Sequence, residues 1–415
     1  MWEKLLDRFL TGMMVEDRLS ITYPDGTTRD YGPDTGAFAH LAIADTNTVR
    51  NIILNPDLGL GEGYMDGQVT PRNCSLDQLL TVIIRNRFKG HLPVWLLLAN
   101  RARFHARRFI QRNAPRASQR NVAHHYDISD DLYRLFLDED MQYSCAYFTD
   151  DCMTLEQAQS AKKAHIAGKL RLEPGMRVLD IGCGWGGMAL TLARDYGCEV
   201  TGITLSENQL ATAEKRAEAA GLSQHVRFNL QDYRYTTGTF DRIVSVGMLE
   251  HVGVPNFGTY FGKVAELLDP DGVALIHTIG RSAPPMAHSS WINKYIFPGG
   301  YVPSLSELAP ALETSGLWQT DIEIWRLHYA KTIRHWRDRF DANLPRIKEM
   351  YDERFVRMFH YYLTVCILAF EHQMQAVYHL QLAHRRDAVP LTRDYLYGKT
   401  AARTEKLPER EMADH

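Results

Sequence analysis

The sequence predicts an α/β protein, in which a mostly parallel sheet with flanking helices follows a small N-terminal α+β domain. Three observations support this fold class. The chain has 415 residues, which is enough for more than one domain. Strand-like and helix-like segments alternate from about residue 121 to residue 390, as is typical of parallel sheets. The stretch VLDIGCGWGG at 178–187 has the pattern of a strand, a glycine-rich turn and the start of a helix.

The composition is that of an ordinary globular protein, with a net charge of −3 and 45% hydrophobic residues. The six cysteines are irregularly spaced, and no CxxC pair occurs. The sequence therefore predicts neither a disulfide framework nor a metal site, and a reducing cytoplasm is the simplest location. The longest apolar runs, such as VWLLLA at 94–99, are too short to cross a bilayer, so no transmembrane segment is expected.

The first domain is predicted to span residues 1–115. An amphipathic helix begins it, and the apolar face of this helix carries Trp2, Leu5, Leu6, Phe9, Leu10 and Met13. The alternating stretch at 18–32 predicts a β-hairpin, with Pro24-Asp25-Gly26 in the turn. The stretch NPDLGLGEGYMDG at 55–67 is punctuated by glycines and is interpreted as a compact loop.

A strongly basic segment closes this domain. Between Arg85 and Arg120 there are ten Lys or Arg residues and no Asp or Glu, interleaved with bulky apolar residues. Such a segment suits an anionic surface, either phospholipid headgroups or nucleic acid. Its amphipathic character favours lipid, and a solvated helix face is the alternative interpretation. The polar stretch at 112–121 is typical of a linker.

Five strands of the parallel sheet are predicted along the second domain. They are 177–181, 199–204, 226–230, 240–246 and 272–279. Because ligands of open α/β sheets bind at the carboxyl ends of the strands, polar residues at those ends are candidate site residues. The final stretch, 391–415, is charged and lacks periodicity, which predicts a polar tail.

The glycine turn predicts an adenosyl-type ligand without fixing which one. Gly182, Gly184 and Gly187 form GxGxxG, which fits a dinucleotide or S-adenosylmethionine, and a tight turn without a ligand is the alternative. The strand at 199–204 ends without the acid that a dinucleotide ribose usually needs, but methyltransferases usually have an acid there too, so this feature does not decide between the two ligands. The next strand leads to Asp232 and Tyr233, which suit an adenine amine and an adenine face. Together these strand ends favour an adenosyl ligand.

Several motifs resemble one family, the cyclopropane fatty acid synthases with the related mycolic acid and fatty acid methyltransferases. The resemblance covers about 120–385 and, less closely, the N-terminal region. Its motifs are HYDISDDLY (125–133), MQYSCAYF (141–148), VLDIGCGWGG (178–187), GITLSENQ (202–209), LQDYR (230–234), DRIVSVGMLEHVG (241–253), HTIG (277–280), WINKYIFPGG (291–300), HYAKTIRHW (328–336) and YYLTVC (361–366). The resemblance implies a Rossmann-like class I methyltransferase fold with a seven-stranded sheet, placed in a catalytic domain at 116–390.

The resemblance also implies the reaction. The methyl of S-adenosylmethionine is transferred to a cis double bond of an unsaturated phospholipid acyl chain in a membrane bilayer. The resulting carbocation loses a proton to bound bicarbonate, and a cyclopropane ring closes. Another fate of the same cation, a methylene- or methyl-branched acyl product as in methylated or furan fatty acid pathways, stays open. The resemblance further implies a homodimer, a location in the cytoplasm at the inner face of the membrane, and no nucleic-acid partner.

Site residues follow by matching the motifs. The resemblance implies a bicarbonate site of Cys145, Glu250, His277, Ile279 and Tyr329. Glu250 is expected either to orient His277 or to hydrogen-bond a protonated bicarbonate oxygen. Cys366 matches a cysteine sometimes assigned as catalytic, but its apolar helical surroundings also suit a core thiol. The implied cofactor contacts are Tyr143, Ser144, Gly182, Gly184, Gly186, Thr204, Leu205, Gln209, Asp232 and Tyr233.

Aromatic faces can stabilise a carbocation through their quadrupole. The candidates for this role are Tyr147, Trp291, Tyr295, Phe297, Tyr301, Tyr361 and Tyr362, and an aromatic core is the alternative interpretation. The stretch WINKYIFPGG at 291–300 is expected to form part of a lid over an acyl channel. Two rival functions are a methyltransferase for small soluble nucleophiles and a lipid-binding protein without activity.

Overall fold

The structure, a computed structural model, describes residues 1–111 and 129–397. Its N-terminal part is built on a four-stranded sheet packed against helices. The strands are β1 (Arg18–Thr22), β2 (Thr28–Tyr31), β3 (Phe38–Ile43) and β4 (Val69–Pro71). The helices are α1 (Trp2–Met13), α2 (Thr46–Leu54), α3 (Pro56–Met65), α4 (Leu76–Lys89) and α5 (Val94–Ile110). The strand order in this sheet is β2-β1-β3-β4.

The hairpin and the first helix are confirmed. β1 pairs antiparallel with β2, and Gly26 takes a φ of +82° in the turn between them. The helix α1 buries Leu6, Phe9, Leu10 and Met13 against the sheet. Leu5, which was expected on the same face, is 44% exposed. The buried stripe is therefore narrower than the sequence pattern predicted.

The prediction of a loop at 55–67 is wrong, because residues 56–65 form helix α3. Asn55 caps this helix through a hydrogen bond from Leu58 N, and Pro56 occupies its first turn, where no amide donor is needed. The glycines of α3 are buried rather than turn-forming. Gly59 abuts the backbone of Asn51, and Gly61 abuts the ring of Trp291. They allow close packing that a loop interpretation could not anticipate.

The second part of the chain contains a seven-stranded sheet. Its strands are β5 (Arg177–Ile181), β6 (Glu199–Thr204), β7 (Val226–Leu230), β8 (Phe240–Val246), β9 (Leu268–Arg281), β10 (Trp318–Trp325) and β11 (Gln375–Ala383). The order is β10-β11-β9-β8-β5-β6-β7, with β11 antiparallel to both of its neighbours. The predicted α/β fold is confirmed, and the five predicted strands coincide with β5 to β9, although β9 extends beyond 272–279.

Helices cover both faces of this sheet. They are α6 (Asp130–Phe136), α7 (Leu155–Leu170), α8 (Gly187–Tyr196), α9 (Glu207–Ala219), α10 (Phe257–Leu267), α11 (Ser290–Tyr295), α12 (Leu305–Thr314), α13 (His328–Ala342), α14 (Leu344–Met350) and α15 (Glu353–His372). The helix α3 packs against α11 and α15, which joins the N-terminal part to the second part. None of the described helices is long and apolar enough to span a membrane.

Of the two segments predicted as linker and tail, only the start of the tail lies within the described residues. The linker at 112–121 lies outside the described residues, as do residues 398–415 of the predicted tail. Residues 393–396 form a 3-10 turn on the surface of the sheet. Arg393 there pairs with Asp321 of β10, and Tyr395 accepts a hydrogen bond from Gln381 of β11 at 3.0 Å. The start of the predicted tail thus contacts the sheet.

Candidate active site

Three glycines with positive φ shape the turn after β5. Gly182, Gly184 and Gly186 have φ values of +81°, +55° and +84°, in a region that favours glycine because other residues carry a Cβ. The helix α8 begins directly afterwards at Gly187. Its first amides are therefore available at the carboxyl edge of the sheet. A cavity of about 160 Å³ lies at this edge and is called the turn cavity below.

The turn cavity brings together most of the residues implied as cofactor contacts. Those lining it are Tyr143, Ser144, Gly182, Gly184, Thr204, Leu205, Gln209, Asp232 and Tyr233. Gly186 is not part of the lining, whereas its neighbour Gly187 is. A Cβ at Gly186 would lie 2.7 Å from the ring of Phe228 on β7. Close packing therefore explains a glycine at 186, and ligand contact by the lining residues stays a prediction.

The loop between β6 and α9 is held by hydrogen bonds among its own side chains. Thr204 Oγ1 donates to Gln209 Oε1 over 2.9 Å, and Ser206 caps α9 by accepting from Gln209 N. With its oxygen occupied by Thr204, Gln209 has its amide nitrogen left as the group that can donate to a hydroxyl. This arrangement suits the ribose role that the resemblance implies for Gln209.

The Asp232 carboxylate is less available to a ligand than its position after a strand end suggested. Its carboxylate accepts from Arg234 Nε at 2.9 Å and from Arg234 Nη2 at 2.5 Å. It also caps the 3-10 turn that contains Tyr233. Tyr233 is 7% exposed and lies edge-on to Tyr260, with ring centroids 5.3 Å apart. An adenine amine would therefore have to share the Asp232 carboxylate with the guanidinium of Arg234.

Two buried charged groups near this cavity were not identified from the sequence. Asp180, at the end of β5, lines the cavity, and burial raises its pKa to about 7. Lys162 of α7 is fully buried and donates to Gln142 Oε1 at 2.6 Å and to Ser144 Oγ at 2.8 Å. Burial lowers the pKa of Lys162 to about 8. An aspartate inside the apolar strand VLDI was the available sequence signal for Asp180.

A second, larger cavity of about 540 Å³ contains all six residues predicted as catalytic. Cys145, Glu250, His277, Ile279, Tyr329 and Cys366 line it. Four residues line both cavities, namely Tyr143, Ser144, Gly247 and His251. The two cavities therefore adjoin, and a ligand in the turn cavity would lie beside a ligand in the larger one. We call the larger one the apolar cavity, because hydrophobic residues make up most of its wall.

Glu250 contacts the backbone of β9 and not His277. Its Oε1 accepts from Ile279 N at 2.5 Å. Its Oε2 is buried and has no hydrogen-bond partner within the described part of the chain. Burial raises the pKa of Glu250 to about 7. Two roles were expected for Glu250. The geometry favours contact with a ligand, because one carboxylate oxygen is free among the described residues. It does not favour orientation of His277, because Glu250 donates to and accepts from no atom of that ring.

His277 is oriented by a histidine that the sequence did not reveal. Its Nδ1 lies 2.8 Å from Nε2 of His379, which sits directly opposite on β11. His277 is 2% exposed, and burial together with the ammonium groups of Lys162 and Lys169 holds its pKa well below the usual range. The ring is therefore neutral at physiological pH. No sequence signal marks His379, because the pairing joins residues 102 positions apart.

The remaining residues of the predicted catalytic set enclose the cavity. Cys145 Sγ donates to Ala146 O at 3.3 Å, and burial raises the pKa of this thiol far above its ordinary value. Tyr329 lies against Phe370, with ring centroids 4.9 Å apart. Burial raises the pKa of Cys366 to about 12. At Cys145 burial outweighs the lowering of the pKa by the Lys162 ammonium, and at Cys366 burial raises the pKa, so neither thiol forms a reactive thiolate.

Aromatic side chains form much of the wall near this site. The candidates that line the apolar cavity are Trp291, Phe297, Tyr301, Tyr361 and Tyr362. The structure does not place Tyr147 or Tyr295 in its lining. The ring of Tyr147 instead stacks on His165, with centroids 4.5 Å apart, and Tyr295 donates to Glu62 Oε1 at 2.7 Å. Five of the seven predicted aromatic rings thus face the space where a substrate would lie.

The apolar cavity continues into the N-terminal part. There its wall is formed by Leu6, Phe9, Leu10, Met13, Leu19, Ile21, Leu41, Ile43, Ile52, Leu60, Leu80, Ile83, Ile84, Leu92 and Leu96. Three basic residues, Arg87, Arg101 and Arg103, also line it. Arg103 donates to Ser290 Oγ at 2.8 Å, whereas Arg101 is exposed. An apolar channel with basic residues on its wall suits an acyl chain attached to an anionic headgroup.

The family comparisons agree with this geometry. The model of a family described as mycolic acid cyclopropane synthetase matches residues 113–380, and a domain of unknown function matches residues 5–89. Cyclopropane-fatty-acyl-phospholipid synthase of Escherichia coli strain K12 is 41% identical over 333 residues, which cover 80% of this chain and 84% of that protein. Cyclopropane mycolic acid synthase 3 of Mycobacterium tuberculosis is 37% identical and covers 60% of this chain and 92% of that protein.

Solved structures are similar as well. The cyclopropane synthase MmaA2 from Mycobacterium tuberculosis has a TM-score of 0.62 and 34% identity, covering 64% of this chain and 98% of that chain. The mycolic acid cyclopropane synthase CmaA1, complexed with SAH and CTAB, has a TM-score of 0.61 and 35% identity. It covers 64% of this chain and 97% of that chain.

Proposed function

The chain belongs to the mycolic acid cyclopropane synthetase family, and we propose that it transfers the methyl of S-adenosylmethionine to a cis double bond in a phospholipid acyl chain, closing a cyclopropane ring. One observation carries the proposal. The apolar cavity adjoins the turn cavity at Tyr143 and Ser144, and Glu250 Oε2, which has no hydrogen-bond partner among the described residues, is buried at its wall. The adjoining cavities suit a polar methyl donor on one side and an acyl chain on the other.

The turn cavity suits S-adenosylmethionine. This group would supply an electrophilic methyl on a sulfonium centre, so the acceptor needs no base before it attacks. Gly182 and Gly184 allow the backbone to approach a ligand closely, and α8 offers its amides beside them. Gln209 can donate to a ribose hydroxyl, and the buried carboxylate of Asp180 faces the same space. Its charge would stabilise a cationic ligand.

Attack by an alkene leaves a carbocation, which must be protected from water and from nucleophiles. The apolar wall excludes water, and the rings of Trp291, Tyr361 and Tyr362 can stabilise positive charge by about 1–2 kcal/mol each. His277 stays neutral and therefore adds no positive charge to the site. The thiols of Cys145 and Cys366 remain protonated and are poor traps for the cation.

A base must then remove a proton from the transferred methyl. Bicarbonate, which the resemblance implies, would be that base. The residues that would hold this anion fit the task. Glu250 Oε2 is buried without a partner among the described residues and can accept from an O–H group when ionised. The ammonium of Lys162 lies close enough to lower the pKa of His277, and it would also attract an anion. The Ile279 amide already donates to Glu250 Oε1, so it would be a shared donor.

Helix α5 supports docking of residues 1–115, the proposed lipid-associated domain, on an anionic membrane. Val94, Leu97 and Leu98 are exposed and follow the spacing of one helical face, and the exposed Arg101 continues that face. Arg101 also lines the apolar cavity, so the docking face lies beside the path of an acyl chain. We propose peripheral association from the cytoplasmic side. The homodimer that the resemblance implies stays a prediction.

The decisive experiment combines the protein, methyl-labelled S-adenosylmethionine and vesicles of phospholipid with cis-unsaturated chains. We expect label in the lipid, with NMR signals of a cyclopropane ring, and no label with vesicles of saturated lipid. Methylene signals would support the branched product instead. Glu250→Gln should reduce the labelling, while Glu266→Gln, a change at an exposed carboxylate paired with Lys263, should not. Absence of label in the lipid from a protein that binds S-adenosylhomocysteine would refute the proposal.

A further inference from the structure

Behind His277 lies a polar group that the proposed reaction does not use. His379 is fully buried, and its Nε2 hydrogen-bonds His277 Nδ1 at 2.8 Å. The other ring nitrogen of His379, Nδ1, is buried and has no partner among the residues that the structure describes. A buried, unpaired nitrogen costs stability, so its presence at this position needs an explanation. His379 therefore lies between His277, on the wall of the apolar cavity, and the groups on the opposite side of its ring.

On that side lies a charged cluster, His165, Glu323 and Lys169, which we call the outlet cluster. His165 Nε2 is 2.8 Å from Glu323 Oε2, and Lys169 Nζ is 2.5 Å from the same oxygen. One ring nitrogen each of His165 and His379 and a carboxylate oxygen of Glu323 lie within 4.8 Å of one another. A single water can bridge such a gap. Glu323 belongs to β10, the edge strand of the sheet, and its side chain is 15% exposed.

We propose that His379 and the outlet cluster form a proton outlet for His277, an inference that rests on the proposed function. A proton that reaches His277 Nε2 displaces the Nδ1 proton of His277 to His379 Nε2. The Nδ1 proton of His379 then passes, through a bridging water, to the ring nitrogen of His165 that Glu323 does not engage, and the Glu323 carboxylate stabilises the resulting imidazolium. Each of the two buried rings gains one proton and loses one, so neither becomes charged. The reverse transfers return the proton to water in the cavity after the product has left.

The charges around the rings favour this neutral route. Lys162 and Lys169 face the pair from α7, and burial with these ammonium groups holds the pKa of His379 well below its usual range. A stable imidazolium at His277 or His379 is thereby disfavoured. Asp321 and Glu323 face the cluster from β10 and supply the negative charge at its outer end. The proton is thus moved away from the cavity without leaving a charge on either buried ring.

His165, Glu323 and His379 also have the spacing of metal ligands, but the surroundings argue for the outlet. Lys169 Nζ lies 2.5 Å from Glu323 Oε2, so a cation already neutralises the carboxylate that a metal would need. Lys169 is itself fully buried and lies 3.5 Å from Asp321 as well. In addition, Nε2 of His379 is engaged with His277. The metal alternative is an outcome of the test.

The test uses the full chain and three variants. His379→Gln keeps a hydrogen-bonding group opposite His277 but cannot relay a proton, and Glu323→Gln removes the negative charge at the outer end. His165→Gln is the third variant, in case the loss of Glu323 impairs folding. The matched control is His225→Gln, which breaks an exposed His–Glu pair with Glu199 on the same sheet. We expect kcat to fall about tenfold or more in the three variants, with KM for S-adenosylmethionine unchanged, and no change in the control.

A second readout does not depend on activity. In ligand-free protein with ¹⁵N-labelled histidine, the ring-nitrogen signals of His277 report its tautomer. We expect Glu323→Gln or His165→Gln to shift these signals, although neither residue touches His277, because the outlet couples the tautomers. Three results would each overturn the outlet. The first is unshifted His277 signals, and the second is a kcat of the variants within twofold of the wild type. The third is stoichiometric bound zinc in the wild type that His165→Gln abolishes. Failure of the wild type to modify lipid would overturn the proposed function instead, and the NMR result would still stand.

Discussion

The contact between Gly61 and Trp291 offers the sharpest test of how the two parts of the chain are joined. A Cβ at position 61 would lie 2.3 Å from Trp291 Cδ1 and 2.5 Å from its Nε1. Trp291 is 1% exposed, and its Nε1 donates to Met65 Sδ at 3.2 Å, so the indole has little room to move. Gly61→Ala therefore forces α3 and α11 apart or breaks the indole hydrogen bond.

The expected change in the free energy of unfolding of Gly61→Ala follows from two opposing effects. Replacing a glycine by alanine inside a helix stabilises it by about 1 kcal/mol, whereas overpacking a tight contact costs about 1–3 kcal/mol. Distances of 2.3 and 2.5 Å are far below van der Waals contact, so the cost should lie at the upper end. We expect Gly61→Ala to lower the free energy of unfolding by about 2 kcal/mol. Gly262→Ala is the matched control, because this exposed helical glycine of α10 has nothing within 4 Å of its Cβ position.

The assay is urea unfolding of the two variants beside the wild type, followed by tryptophan fluorescence and circular dichroism. Gly262→Ala should shift the midpoint upwards and Gly61→Ala downwards, so the two substitutions differ in sign. Because Trp291 lines the apolar cavity, Gly61→Ala should also slow lipid methylation while binding of S-adenosylhomocysteine is retained. If Gly61→Ala proved as stable as Gly262→Ala, the close packing of α3 on α11 would be refuted.

Three further expectations concern charge. Burial raises the pKa of Glu250 to about 7. The folded protein therefore binds this proton more tightly than the unfolded chain, and the free energy of unfolding falls as pH rises from 4.5 to about 7. This fall in the free energy of unfolding is on the order of 3 kcal/mol, and Glu250→Gln should abolish it in urea unfolding at pH 5 and pH 8. An unchanged pH dependence would contradict the burial of an ionisable group here. Asp232→Ala should weaken S-adenosylhomocysteine binding about tenfold by calorimetry, and unaltered affinity would exclude ligand contact. Arg101→Glu should reduce sedimentation with anionic vesicles, whereas Arg194→Glu on α8 should not, and equal binding by both variants would count against docking through α5.

The strands of the parallel sheet were predictable because their signals are local. The bounds of β5, β6, β7 and β8 follow from short apolar runs and from the turns that end them. The glycine turn at 182–187 was predictable for the same reason. In contrast, β11 was missed, although its pairing with β9 completes the site by bringing His379 to His277.

Helix α3 illustrates the limit of local reasoning. Its glycines have low helix propensity, and from sequence alone they favour a loop. In the folded chain Gly59, Gly61 and Gly63 each lie against a neighbouring element, and that packing outweighs the propensity. A glycine that permits close approach and a glycine that permits a turn look alike in a sequence, and only the neighbours distinguish them.

What the sequence determined by itself was therefore the order of strands and turns, and, through its motifs, the expectation that Glu250 and His277 belong to one site. The tertiary structure decided how these residues are connected. It pairs Glu250 with Ile279 and His277 with His379, and it extends the apolar cavity into the N-terminal part. The reason is physical: a strand or a turn is set by neighbours along the chain, whereas burial, pKa and hydrogen-bond partners depend on groups that only folding brings together.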